Sequence, residues 1–213
     1  MSTDSVRGGG AVSAEAERGR FIVFEGGEGC GKSTQAERLA ARLDAVCTRQ
    51  PGGTPLGAHL RELLLDAEVS VGDRAEALMM AADRAQHVEE MIEPALAAGT
   101  HVVCDRYTAS SVAYQGHGRG LGADEVAGIS AWATRNLEPD LVVLLVVDAA
   151  VAAERTGSPR DRIEAAGAEF HDRVREGFDV QARADPRRWV VLDGSGTVAE
   201  VAALVDEAVA ERL

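Results

Sequence analysis

A chain of 213 residues, 46% of them apolar, suits one globular domain and excludes an intrinsically disordered protein. Its net charge of -13 excludes the broad basic surface that grips nucleic acid or an anionic membrane, so an anionic ligand must be caught by a local cluster of cations. Aromatic residues make up only 4%, which leaves Ala, Val and Leu to build the core.

Residues 1–19 mix Gly, Ser and charge without periodicity and read as a disordered extension; the folded domain is expected over 20–213. Phe21–Phe24 reads as a strand, followed by a glycine loop and a helix over 32–45. A short strand over 46–48 and a Pro/Gly turn over 50–54 precede helices near 56–66 and 73–98. In the second of these, Leu78, Ala81, Ala85, Val88 and Ile92 recur at steps of three and four and predict a core-facing stripe. His101–Cys104 is a third strand ending in Asp105, and a helix near 123–136 leads to the apolar run Leu141–Val147. That run is a buried strand, too short to span a bilayer. A helix from Ala149, a polar segment over 156–161, a helix to about Ala184, a strand over 189–192 and a helix over 198–212 complete the pattern. Strands alternating with helices predict a three-layer α/β/α fold with a five-stranded parallel sheet, whose ligands sit at the carboxyl ends of the strands. Cys30, Cys47 and Cys104 show neither paired nor metal-like spacing, and no apolar leader follows the N-terminus; both point to a cytoplasmic protein without a membrane anchor.

Gly26, Gly27, Glu28, Gly29, Cys30, Gly31, Lys32 and Ser33 match the phosphate-loop pattern G-x-x-x-x-G-K-[ST], between a strand and a helix as the motif requires. Its backbone N–H groups cradle phosphate oxygens at the positive end of the helix, Lys32 bridges the β- and γ-phosphates, and the Ser33 hydroxyl joins a Mg²⁺ shell. Lys32 is the only lysine of the chain, which weighs against a mere glycine-rich turn. The pattern identifies ATP or another nucleoside triphosphate as donor and is silent about the acceptor. No N-K-x-D segment is present, which argues against a GTPase switch.

The segments FEGGEGCGKST, TRQPGGTPLGAHLRELLLD, EALMMAADRAQH, PALAAGTHVVCDRYTASSVAYQG, EPDLVVLLVVD and DRIE with EFHDRV resemble, in order, those of bacterial thymidylate kinases, P-loop nucleoside monophosphate kinases. The resemblance covers about residues 20–212. It implies Mg²⁺- and ATP-dependent phosphorylation of dTMP to dTDP by a homodimer. On the matching positions it implies that Gly26 to Thr34 bind ATP, that Asp105 and Ser33 serve the metal, and that Arg106 and Arg61 hold the acceptor phosphate. It further implies that Arg84, Ser111 and Gln115 contact the base, that Tyr114 packs against the deoxyribose, that Glu28 approaches the 3′-hydroxyl and that Pro51 shapes the turn beside them. A mobile lid is implied over about 155–163. Because Gly29 and Cys30 supply no cation, the catalytic arginine is expected from the lid, with Arg155 and Arg160 as candidates and Arg162 as a third; Gly157, Ser158 and Pro159 suit a hinge.

Two positions depart from the family. Met80 stands where bacterial members usually place a phenylalanine that stacks on thymine, and a thioether offers a softer surface. Gln50 replaces a common Glu. A kinase of another or modified pyrimidine monophosphate therefore stays open, as does an ATPase or switch. In the kinase reading no general base is needed, since the acceptor phosphate is already anionic at neutral pH. Catalysis then reduces to positioning and charge neutralisation.

Overall fold

A computed structural model describes residues 17–156 and 161–213. Five parallel strands, β1 (Phe21–Glu25), β2 (Val46–Arg49), β3 (Val102–Asp105), β4 (Leu141–Val146) and β5 (Trp189–Asp193), lie in the order β2-β3-β1-β4-β5. β1 is buried along its whole length because it is central and covered on both faces, which is why FIVFE has no polar/apolar alternation. Val23 pairs with Cys104 on one side and Val142 on the other, so the ends of β1 and β3 finish side by side.

Helices α1 (Lys32–Leu43) and α9 (Val198–Arg212) cover one face, where Leu39, Ala40, Val201 and Val205 meet Ile22, Phe24, Leu141 and Val143. On the other face α8 (Ala168–Ala184) sets Phe170, Val174 and Phe178 against Val142, Leu144 and Trp189. α2 (Pro55–Leu65) is capped by the Thr54 hydroxyl, which accepts from the Gly57 amide at 3.0 Å. α3 (Asp73–His87) runs through a π-helical turn, Val88–Ile92, into α4 (Glu93–Ala97). α6 (Ala123–Ala133) and α7 (Ala149–Thr156) complete the set with α5 below. No helix of the described residues is long and apolar enough to cross a membrane.

Three expectations need correction. Of the expected stripe Ala81, Val88 and Ile92 are buried, but Leu78 is 59% exposed and Ala85 only half-buried; α3 also buries Ala77, Met80, Arg84 and His87. The inward face also carries an arginine and a histidine, so a stripe chosen by apolarity alone captures only part of it. Gly19 already belongs to the fold, since its amide donates to the Leu96 carbonyl at 2.9 Å; residues 1–16 lie outside the described residues. Finally, α5 (Thr108–Ser111) and a π-helical turn, Val112–Gly118, form where no helix was expected. Ser, Thr and Gly make this stretch a poor helix former. Close packing on α8 overrides that weakness: a Cβ on Gly118 would sit 2.6 Å from Phe170, and one on Gly177 would sit 3.0 Å from Ala113.

Candidate active site

The carboxyl ends of β1, β2 and β3 deliver three segments to one cavity of about 480 Å³: the phosphate loop, the 50–53 turn and the Asp105–Arg106 corner. In the loop, Gly26, Gly29 and Gly31 take positive φ, and a Cβ on Gly26 would lie 2.3 Å from the Leu145 carbonyl. Cys30 is buried beneath the loop, while Gly27 leaves its outer side open. The Lys32 ammonium folds back and donates to the Gly27 carbonyl at 2.7 Å. Ser33 and Thr34 are exposed in the first turn of α1, whose first-turn N–H groups have no acidic competitor. Ser33 Oγ donates to Asp105 Oδ2 at 2.5 Å, and Asp105 Oδ1 is buried without a partner among the described residues.

Arg106 leaves β3 in the left-handed region, φ 71°, which turns its side chain under the loop. Its guanidinium donates to the Gly26 carbonyl at 3.0 Å and to Ser110 Oγ at 3.1 Å, pairs with Glu28, and lies 5.1 Å from the Tyr114 ring centre. Arg106, then Lys32, hold the Glu28 carboxyl down to about 2, against the effect of burial, so it is a carboxylate at any working pH. Beneath them Glu25, fully buried, accepts from the Tyr107 and Ser110 amides at 2.9 and 3.1 Å and from the Ser110 hydroxyl at 2.6 Å. Sequence reading overlooked Glu25, whose only signal is an acid closing an otherwise apolar strand. Arg61 donates to the Pro51 carbonyl at 3.0 Å; burial and the nearby Arg49 and Arg106 lower its pKa.

Deeper in the cavity Arg84 is 2% exposed and donates to Gln50 Oε1 (2.9 Å), the Tyr107 carbonyl and Ser111 Oγ (both 3.1 Å). Gln50 Nε2 lies 2.9 Å from His87 Nδ1, and His87 Nε2 lies 2.7 Å from Thr48 Oγ1. The Gln50 amide thus accepts from Arg84 through its oxygen and donates to His87 Nδ1 through its nitrogen. Burial, helped by Arg84, pushes the His87 pKa down to about 4, which keeps the ring neutral. Met80, Ser111, Tyr114 and Gln115 line the same cavity, so all the expected acceptor-site residues converge.

The lid arginines divide. Arg155, at the end of α7, donates to the carbonyls of Gly194, Ser195 and Gly196 at 2.8, 3.0 and 3.2 Å. Arg162 donates to the Leu64 carbonyl at 3.0 Å and pairs with Glu76 at 2.8 Å, contacts that tie it to the end of α2 and the start of α3. Arg160, with 157–159, lies outside the described residues. The loop cannot substitute at Gly29, because a Cβ there would sit 2.7 Å from the Ala152 carbonyl of α7.

A family model described as thymidylate kinase matches residues 24–205. Proteins named thymidylate kinase that resemble this chain include one from Bifidobacterium longum strain DJO10A, 46% identical over 202 residues that cover 91% of this chain and 98% of the relative. Another, from Leifsonia xyli subsp. xyli, is 50% identical over 193 residues, with coverage of 87% and 91%. Among solved structures, thymidylate kinase from Ehrlichia chaffeensis superposes with a TM-score of 0.76 at 30% identity, over 90% of this chain and 98% of that one.

Proposed function

The chain belongs to the thymidylate kinase family, and from that premise we propose that it phosphorylates dTMP to dTDP with ATP as donor, through the residues gathered in the cavity. The carrying observation is convergence: the phosphate loop, Asp105, Arg106 and the Arg84 pocket all open into one cavity large enough for a nucleotide.

In this reading the loop amides and Lys32 hold the triphosphate of ATP. Arg106 and Arg61 clamp the acceptor phosphate, with Tyr114 beside its sugar and Glu28 at its 3′-hydroxyl. An acceptor oxygen attacks the γ-phosphorus, the bond to the β,γ-bridging oxygen breaks, and the electron pair leaves with ADP. The chain's part is alignment and neutralisation of equatorial charge. Glu25 keeps Arg106 in place through Ser110. A Mg²⁺ ion fits the donor set, hard oxygens of Ser33 and Asp105, of which Asp105 Oδ1 is buried with no partner among the described residues. Ser33 and Asp105 would hold the ion, which supplies charge neutralisation at the phosphates. The lid over about 155–163 would bring Arg155 or Arg160 to the transferring group.

Arg84 is the donor for a pyrimidine carbonyl, with Ser111 and Gln115 beside it and Met80 against the ring. A homodimer is supported by large apolar side chains left exposed on two helices that pack together, Trp132 at 82% on α6 and Leu78 at 59% on α3. A cytoplasmic site is supported by three free thiols.

The test is a coupled ADP-release assay over dTMP, dUMP, dCMP, UMP and ring-substituted analogues. We expect dTMP to give the highest kcat/KM. A different pyrimidine monophosphate in first place would move the assignment within the kinases, and acceptor-independent ATP turnover would favour the ATPase reading.

A further inference from the structure

Glu76 lies in the first turn of α3 with no exposed surface, and nothing in the proposed chemistry uses it. Four donors surround it. Gln115 Nε2 reaches Oε1 at 2.8 Å, Arg119 Nε reaches Oε1 at 3.2 Å, Arg119 Nη2 reaches Oε2 at 3.0 Å, and Arg162 Nη2 lies 2.8 Å from Oε2. The two arginines are themselves fixed: Arg119 stands 4.6 Å over the Phe170 ring, and Arg162 is tied to the Leu64 carbonyl. Burial works to raise the Glu76 pKa, yet the hydrogen bonds from Arg119, Gln115 and Arg162 outweigh it and hold the group ionised.

A carboxylate in this setting accepts and never donates. The Gln115 amide beside it therefore has one permitted orientation, nitrogen toward Glu76 and oxygen away. Gln115 is 1% exposed and lines the cavity with Arg84 and Ser111, and no hydrogen bond from a described residue reaches its Oε1. We infer that Glu76 sets the polarity of the base pocket, turning the Gln115 amide so that a carbonyl oxygen faces the pyrimidine as acceptor for a ring N–H. Thymine and uracil carry a proton on N3 and match that oxygen; cytosine carries a lone pair there and opposes it. Glu76 is thus a positioning residue for specificity, acting through Gln115 without touching substrate. A buried amide that cannot turn makes the mismatch costly, since neither partner then has a donor to offer.

This rests on the kinase reading, and the experiment separates the two. The kcat/KM ratio of dTMP to dCMP is measured for the wild-type protein, Glu76→Gln, and the double variant Glu76→Gln/Arg162→Met, which keeps the cluster's charge balanced should the single variant not fold. Wild-type turnover of dTMP tests the kinase reading by itself. With a neutral amide at 76, the Gln115 amide is free to turn, and the ratio should fall by about tenfold or more. A general loss of stability or activity cancels in this ratio. Gln115→Met, which removes the oxygen, should lower it similarly. If wild type phosphorylates dTMP and the folded variants keep the wild-type ratio within about twofold, the inference is overturned and Glu76 is a structural tie only.

Discussion

Ser33 Oγ donates to Asp105 Oδ2 over 2.5 Å, joining the first turn of α1 to the end of β3, while Oδ1 of the same carboxylate is buried with no partner among the described residues. In the proposed reaction this carboxylate, with Ser33, would hold the Mg²⁺ ion. Asp105→Asn retains the Ser33 contact and removes the charge. It should raise the Mg²⁺ concentration for half-maximal activity by about 10- to 100-fold. ADP release titrated with Mg²⁺ at saturating ATP and dTMP measures it; an unchanged midpoint would refute the metal assignment.

Arg106 offers a different handle, because its partners belong to both substrates' territory: the Gly26 carbonyl of the loop and Glu28. Arg106→Ala should lower kcat by roughly 100- to 1,000-fold, the scale of losing one preorganised charge-stabilising donor. ATP binding, dominated by loop amides and Lys32, should change little. Calorimetric titration with ATP beside steady-state kinetics separates the two, and near-normal turnover would remove Arg106 from the acceptor clamp.

The parts of the site that were legible in the sequence are those whose chemistry demands a fixed spacing. Gly26 to Ser33 cannot cradle phosphate in another order, and the apolar runs at 21–24, 101–104 and 141–147 fall on the strands β1, β3 and β4 to within a residue. What stayed hidden depends on contacts between distant segments. Glu25 and Glu76 look like ordinary acids until folding surrounds them with donors from residues some 40 to 90 positions away. The helix over 108–118 was obscured because its Gly116 and Gly118 lower intrinsic propensity and are needed for packing; Gly118 admits Phe170. The contacts of Arg162 with Glu76 and the Leu64 carbonyl likewise join segments far apart in the chain.

His87 makes stability depend on pH. Its folded pKa is about 4 against an ordinary 6.5, so between those values the unfolded chain binds the proton that the folded chain refuses. Above pH 6.5 the group contributes nothing, and stability declines as pH falls toward 4. At pH 5 the penalty should be about 2 kcal/mol. Urea unfolding at pH 7.5 and 5 measures the drop in wild type and in His87→Gln, which cannot take the proton. An equal drop in both would show that other groups cause it.

The lid arginines can be separated by kinetics. Arg155 is satisfied by three carbonyls over 194–196, beside the loop Gly29. To reach a transferring phosphoryl group it would have to surrender all three hydrogen bonds, whereas as it stands it braces the loop after β5 against α7. Arg155→Ala should therefore weaken ATP binding, raising the KM for ATP severalfold, with a kcat loss of less than about tenfold. Arg160→Ala, if that residue supplies the catalytic charge, should leave the KM for ATP near normal and cut kcat by about 100-fold or more. Steady-state kinetics with ATP as the varied substrate reads both, and a kcat collapse in Arg155→Ala would assign the catalytic role to Arg155 and require α7 to release the 194–196 carbonyls during turnover.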